Sequence, residues 1–345
     1  MIGLAEQPVV DFPRYPWIGD DDWRYTFATA QVRVLMSQML SRAALLDMAN
    51  ADSFELCVDL LASSEYAVPQ GGKNFSDAEE ILLQRRTQTR RLFLELMIDK
   101  GLSELLRTRE DFANMRLALR RKLTEKPLGT DYSDDGSIPA EQFEEIFEAE
   151  DYSPLPNHIQ EAIERAVLAY YQNKDIRQID YALDYMHFQY KLKKAEELKN
   201  IFVIELFRMQ LDLMNIRTLL RLKFTESEQR NVFLEGGYVE TERLKHCLDI
   251  GYEAVAGLFF ATPYYDVVEA GLSYLTSNKS FLKLERHCEG HLSGFLKTTN
   301  QITAGPQPLI AFLLMKENEI RTVRLILTAK KNGLDTRLIL DRLGE

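Results

Sequence analysis

Asp212-Leu-Met-Asn-Ile-Arg-Thr-Leu-Leu-Arg-Leu-Lys-Phe224 spells an amphipathic helix. Leu213, Ile216, Leu219, Leu220 and Phe224 recur at helical spacing and predict one buried face. Arg217, Arg221 and Lys223 take the other side and the C-terminal turns, where cations suit the helix dipole. Alone the stretch is ordinary. Its recurrence organises the chain.

Residues 111–123 carry the same residue types at the same offsets: Asp111 for Asp212, Asn114 for Asn215, Arg116 for Arg217, Arg120 for Arg221 and Lys122 for Lys223. A looser copy starts at Glu319 and continues through Val323, Arg324, Leu327 and Lys330, with Thr322 for the Asn and Thr328 for the second Arg. A second motif, Glu followed by two apolar residues and then Tyr, runs Glu55, Leu60, Leu61, Tyr66; then Glu141, Ile146, Phe147, Tyr152; then Glu253, Leu258, Phe259, Tyr264. Two motifs recurring in step read as three copies of one helical unit of about a hundred residues.

The unit boundaries come from turn-rich stretches. An irregular, proline-bearing lead-in is expected over 1–24, helical units over 25–126, 127–227 and 228–332, and a C-terminal helix over 333–345. That last helix is expected to pack on the first unit, in the place that the helix after Gly236-Gly237 takes in the third. Long helices are expected over 25–45 and 195–224, with a charged helix over 77–100 whose charge run reads as a solvated face. Ser53, Ser137 and Thr241 are candidate caps, and Asn332-Gly333 a C-terminal stop. No strand alternation stands out, so the fold class is all-α.

A net charge of −11 gives no global attraction to nucleic acid. Cys57, Cys247 and Cys288 are odd in number and far apart, which suggests reduced thiols. No stretch approaches the ~20 apolar residues of a membrane helix, and residues 1–22 lack a signal-peptide pattern, so membrane association is expected through a partner.

Residues 305–327, Gly-Pro-Gln-Pro-Leu-Ile-Ala-Phe-Leu-Leu-Met-Lys-Glu-Asn-Glu-Ile-Arg-Thr-Val-Arg-Leu-Ile-Leu, with Lys-Lys-Asn-Gly-Leu at 330–334, closely resemble the C-terminal signature of the C subunit of prokaryotic V-type (A-type) ATPases. The eukaryotic counterpart is the d subunit. Residues 212–223, the run Tyr-Thr-Phe-Ala-Thr-Ala-Gln-Val-Arg-Val-Leu at 25–35, Gly236-Gly237, and Asp180 with Asp184 are similar to further parts of that family. The departures fall at 1–23, at 68–75 and at Thr322 and Thr328. The resemblance implies a funnel of three units with pseudo-threefold symmetry on the cytoplasmic face of the membrane. It would sit on the rotor ring, receive the D and F subunits of the central stalk, and couple the ATP-hydrolysing head to ion translocation without chemistry of its own. The coupling ion, H⁺ or Na⁺, and the direction of ATP turnover are not written in this chain.

A search for chemistry agrees with a non-catalytic part. There is no phosphate-binding loop and no nucleophile elbow, and neither a catalytic residue nor a cofactor is expected. His287 and His291 are spaced to share a metal, which leaves a helical metal-dependent hydrolase as the alternative, beside a scaffold with unrelated partners. Cys288 stands where the usual general-base Glu would be, and no third ligand is evident, so structural histidines and no metal are expected. The candidate junction or interface residues are Asp111, Arg116, Asp212, Arg217, Arg221, Glu319 and Arg324. Acid and Arg five apart cannot pair well within one helix, so each is expected to reach a neighbouring helix, or else the arginines face the stalk.

Overall fold

In the computed structural model, residues 14–68, 74–124 and 132–344 are described, and every regular element among them is helical. The lead-in at 1–13, part of the 68–75 insert and the start of the linker at 129–137 lie outside the described residues.

After a 3-10 turn at Trp23–Tyr25, α1 (Thr26–Ser37) and α2 (Arg42–Asn50) divide the helix expected over 25–45. Ser41 makes the break by accepting from Ala44 N at 3.1 Å, which caps α2. α3 (Phe54–Asp59) starts on the Ser53 cap, α4 (Phe75–Leu96) on Asn74, and α5 (Lys100–Leu123) carries the first repeated motif. α6 (Ala140–Ala149), α7 (Asn157–Asn173) and α8 (Arg177–Glu197) come next. The single helix expected over 195–224 is also broken: Lys199 turns the chain at φ 53°, and Asn200 caps α9 (Ile201–Phe224) through Val203 N at 3.0 Å. Ser137 and Thr241 do not cap. Pro139 and Glu240 occupy the N-cap positions without a side-chain bond.

α10 (Thr241–Asp249), the short α11 (Tyr252–Val255), α12 (Tyr265–Asn278) and α13 (Leu282–Lys297) lead to α14 (Pro306–Lys331), which carries the third motif. Pro306 sits in its first turn, where a missing N–H costs nothing, and Gly333, at φ +62°, shapes the turn after it. α15 (Thr336–Leu343) closes the chain.

The described core divides into three buried clusters, each built on a repeated helix. Phe112, Met115 and Leu119 of α5 pack with Phe143, Phe147, Ile159, Ile163, Ile179 and Leu183 of α6, α7 and α8. Val323 and Leu327 of α14 pack with Met48, Cys57, Leu61 and Leu82 of α2 to α4, and with Ile339 of α15. Ile216, Leu219 and Leu220 of α9 pack with Leu244, Val268, Leu284 and Phe295 of α10, α12 and α13. This last cluster also takes in Tyr25 and Val32, Leu102 and Leu105, Phe188, and Leu309, and so joins the other two. Each large side chain fully buried there stabilises the fold by roughly 1.5–3 kcal/mol. The repeated helices α5 and α9 thus pack with helices that come after them in the chain, and α14 returns to the helices near the start.

Candidate partner-binding cavity

The repeated acids are all buried, and each fastens the backbone leading into a neighbouring helix. Asp111 accepts from Ile138 N at 3.1 Å and from the Ser137 hydroxyl at 2.5 Å, ahead of α6. Asp212 accepts from Tyr238 N at 2.9 Å and Val239 N at 3.2 Å, ahead of α10, and from Tyr264 Oη at 2.9 Å. Glu319 accepts from Leu40 N at 2.6 Å, ahead of α2, from Tyr66 Oη at 2.5 Å, and from Lys316. Thus α2 takes the place beside α14 that α10 takes beside α9. The C-terminal α15 packs on α2, within the first expected unit, and on α13.

Two of the second-motif tyrosines, Tyr66 and Tyr264, are the donors to these acids. Tyr152 packs edge-on against Phe147, and Ser137 supplies the hydroxyl there. Gly136 and Gly237 permit the close approach, because a Cβ on either would collide with Asp111 Oδ1 or Asp212 Oδ1. Asn114 exchanges two bonds with the Ser133 backbone, and Asn215 does so with Leu234, all at 2.8–2.9 Å. Lys122 and Lys223 donate to the carbonyls of Phe147 (3.3 Å) and Cys247 (3.0 Å). Lys330 donates to the Thr336 hydroxyl at 3.0 Å.

The repeated arginines reach neighbouring helices. Arg116 pairs with Asp180 at 3.3 Å and with Asp184 on α8. Arg217 and Arg221 share Glu285 on α13 at 2.6 and 2.9 Å. Arg324 pairs with Glu79 on α4 at 2.9 Å. All are partly exposed, so each pair adds little stability of its own.

Burial pushes the Asp212 carboxyl up to about 7, against the pull of Tyr264 and Val239. Asp111 is raised for the same reason, with Ser137 and Ile138 opposing. These groups serve as structural acceptors.

Between the repeated helices lies a cavity of about 860 Å³. The middles of α5, α9 and α14 line it, with α4, α8 and α13 between them. Its apolar wall includes Leu105, Phe207, Leu213, Leu296, Leu313 and Met315. Eight Arg and Lys side chains line it against six Asp and Glu, a slight cationic excess in a chain that is net acidic.

Part of this the sequence reading missed. The charge run on α4 is a solvated face only in part: Glu80 and Arg91 are exposed, but Arg90 is nearly buried and binds Glu110 at 2.8 Å, Asp135 at 2.6 Å and Glu317 at 2.6 Å. Those partners lie far along the chain, so no local pattern announces them. Lys191, on the cavity wall, rests on the rings of Phe188 and Phe207 at 4.0 and 4.6 Å.

The two histidines weighed for a metal do not assemble a site. His291 is buried between Tyr15 and Tyr264, and burial lowers its pKa to about 4. Among the described residues no three His, Cys, Asp or Glu side chains are grouped to hold a metal. None of the described helices is long and apolar enough to cross a membrane.

A family model described as ATP synthase (C/AC39) subunit matches residues 28–342. The V-type ATP synthase C subunit of Thermus thermophilus is 26% identical over 324 residues, covering 90% of this chain and 94% of that protein. The A-type ATP synthase C subunit of Thermococcus kodakarensis is 22% identical, covering 96% and 95%. The V-type sodium ATPase C subunit of Enterococcus hirae is also 22% identical, covering 89% and 94%.

Proposed function

The chain belongs to the ATP synthase (C/AC39) subunit family, a structural and non-catalytic part of a rotary ATPase, and on that premise we propose that it is the coupling between shaft and membrane ring. In this reading the D and F subunits of the central stalk seat in the central cavity, and the rotor ring is held on another face. The protein would work at the cytoplasmic side of the membrane, passing torque between the ATP-hydrolysing head and the ion-translocating ring.

One observation carries the reading: the three repeated helices, which sequence alone marks as equivalent, line a single cavity. We take the three clusters built on α5, α9 and α14 as units related by an approximate threefold axis through it. A socket that transmits torque must resist twisting, and close-packed helices with few voids supply stiffness. It must also adhere over a broad surface rather than in a small pocket. Trp23, Phe27, Ala30 and Val34 form an exposed stripe along one face of the 3-10 turn and α1, with Phe27 77% exposed. An uncovered aromatic stripe of this kind suits a permanent partner, and we assign it to the ring.

The test is capture of the tagged chain from native membranes, with the retained proteins identified by mass spectrometry. Co-purification of stalk and ring subunits in fixed stoichiometry is the expected result. Recovery of the chain alone, or with proteins of no ATPase, would overturn the proposal.

A further inference from the structure

The charges around the cavity do not cancel. The acids on its wall are already engaged. Glu110 holds Arg86 and Arg90, Asp135 holds Arg90, and Glu317 holds Arg90 and Arg109. Asp184 holds Arg116, Glu289 holds Arg342, and Asp134 accepts from Ala140 N at the start of α6. Four cations on the same wall have no carboxylate within ion-pair distance among the described residues: Lys191, Arg321, Arg91 and Arg107, the last of which donates instead to the backbone carbonyls of Asp135 and Gly136.

At Lys191, the one buried member, the environment makes the imbalance costly. The Lys191 side chain is buried against two phenyl rings, and Asp184 is near enough to act on it without forming an ion pair. Desolvation, helped by Arg109 and opposed by Asp184, brings the lysine's pKa down to about 7. Arg321 is exposed, yet desolvation and Arg109, opposed by Glu289 and Glu317, also hold it below its ordinary value. A buried charge without a counter-ion destabilises a fold unless something else answers it. The comparable position in the structural network, Arg90, has three carboxylates.

We infer that Lys191, Arg321 and Arg91 form a seat for carboxylates at the inserted end of the shaft, so that the cavity selects an acidic polypeptide. The inference rests on the socket reading above and says which part of the socket recognises the occupant. The repeated Arg116, Arg217 and Arg324 do not serve this role, since each is spent on a neighbouring helix. The remainder of the surface reinforces the choice. A chain of net charge −11 repels an acidic partner in general and admits it only where cations are concentrated.

The experiment compares the wild-type chain with Lys191→Met and Arg321→Gln, each combined with purified D and F subunits over a series of KCl concentrations. Both variants should bind about tenfold more weakly at low salt, with the difference shrinking as salt rises. At the same time Lys191→Met should raise the melting temperature of the free chain, because an unanswered charge leaves the interior. Gain in stability with loss of binding is a pairing that a purely structural lysine would not give. Arg321→Gln, on the open side, keeps the test valid if the buried substitution fails to fold. Unchanged binding by both variants, or a loss equal at all salt concentrations, overturns the inference and leaves the socket standing. If the wild-type chain binds neither D nor F, the socket reading falls and this inference with it.

Discussion

The junctions at Asp212 and at Glu319 do the same mechanical job with different chemistry. Both acids are buried, both accept a backbone N–H ahead of a short helix, and both take a tyrosine hydroxyl. At Glu319 a buried lysine, Lys316, answers the carboxylate directly. At Asp212 no cation stands within ion-pair distance among the described residues, and burial pushes the carboxyl up to about 7. The repeated motif therefore specifies where an acceptor must sit, while the surrounding side chains decide how its charge is met.

The sharpest way to break this contrast is Lys316→Met. It leaves Glu319 buried without a counter-ion and should cost about 3–5 kcal/mol, measured by denaturant unfolding. Asp212→Asn should cost less, about 1–3 kcal/mol, because the loss is of acceptors for Tyr264, Tyr238 and Val239 rather than of an ion pair. Tyr264→Phe removes one of the donors and should cost about 1 kcal/mol.

The pH dependence separates the two junctions further. Asp212 has a folded pKa near 7 and an ordinary value of 3.8, so between these the unfolded chain is the more ionised. Its contribution to stability is then greatest below about pH 4 and declines as pH rises toward 7. The stability gap between wild type and Asp212→Asn should narrow over that window. His291 acts in the opposite sense. With its folded pKa lowered to about 4, stability is lost as pH falls from about 6.5 toward 4, and His291→Leu should flatten that slope. The smallest effect belongs to the surface pairs: Arg217→Gln, which leaves a partly exposed Glu285 to Arg221 alone, should cost about 0.5–1 kcal/mol.

Much of this was legible from residue types alone. The repeat placed Asp111 beside Asp212 and Asn114 beside Asn215, and the fold gives the paired residues corresponding backbone partners. Long-range choices were not legible. The break between α1 and α2 carries no Gly or Pro, and part of its reason is Glu319, which holds Leu40 N from the far end of the chain. The break before α9 rests on Asn200, a weak signal inside a strongly helical run. Arg90 reads as one more surface charge until Glu317 and Asp135 come to it across the fold. A repeat also states that units recur without saying on which side of the motif helix the rest of each unit lies. The packing of α14 with α2 to α4, the helices near the chain start, decides that.

The central claim is that the cavity between α5, α9 and α14 holds the shaft. The direct measurement is photo-cross-linking in native membranes from a reactive residue placed at Leu314 on the cavity wall, with Leu168 on the outer face of α7 as the control. Cross-links from position 314 to D or F, and none from 168, are the predicted result. Shaft cross-links from 168 with none from 314 would contradict it.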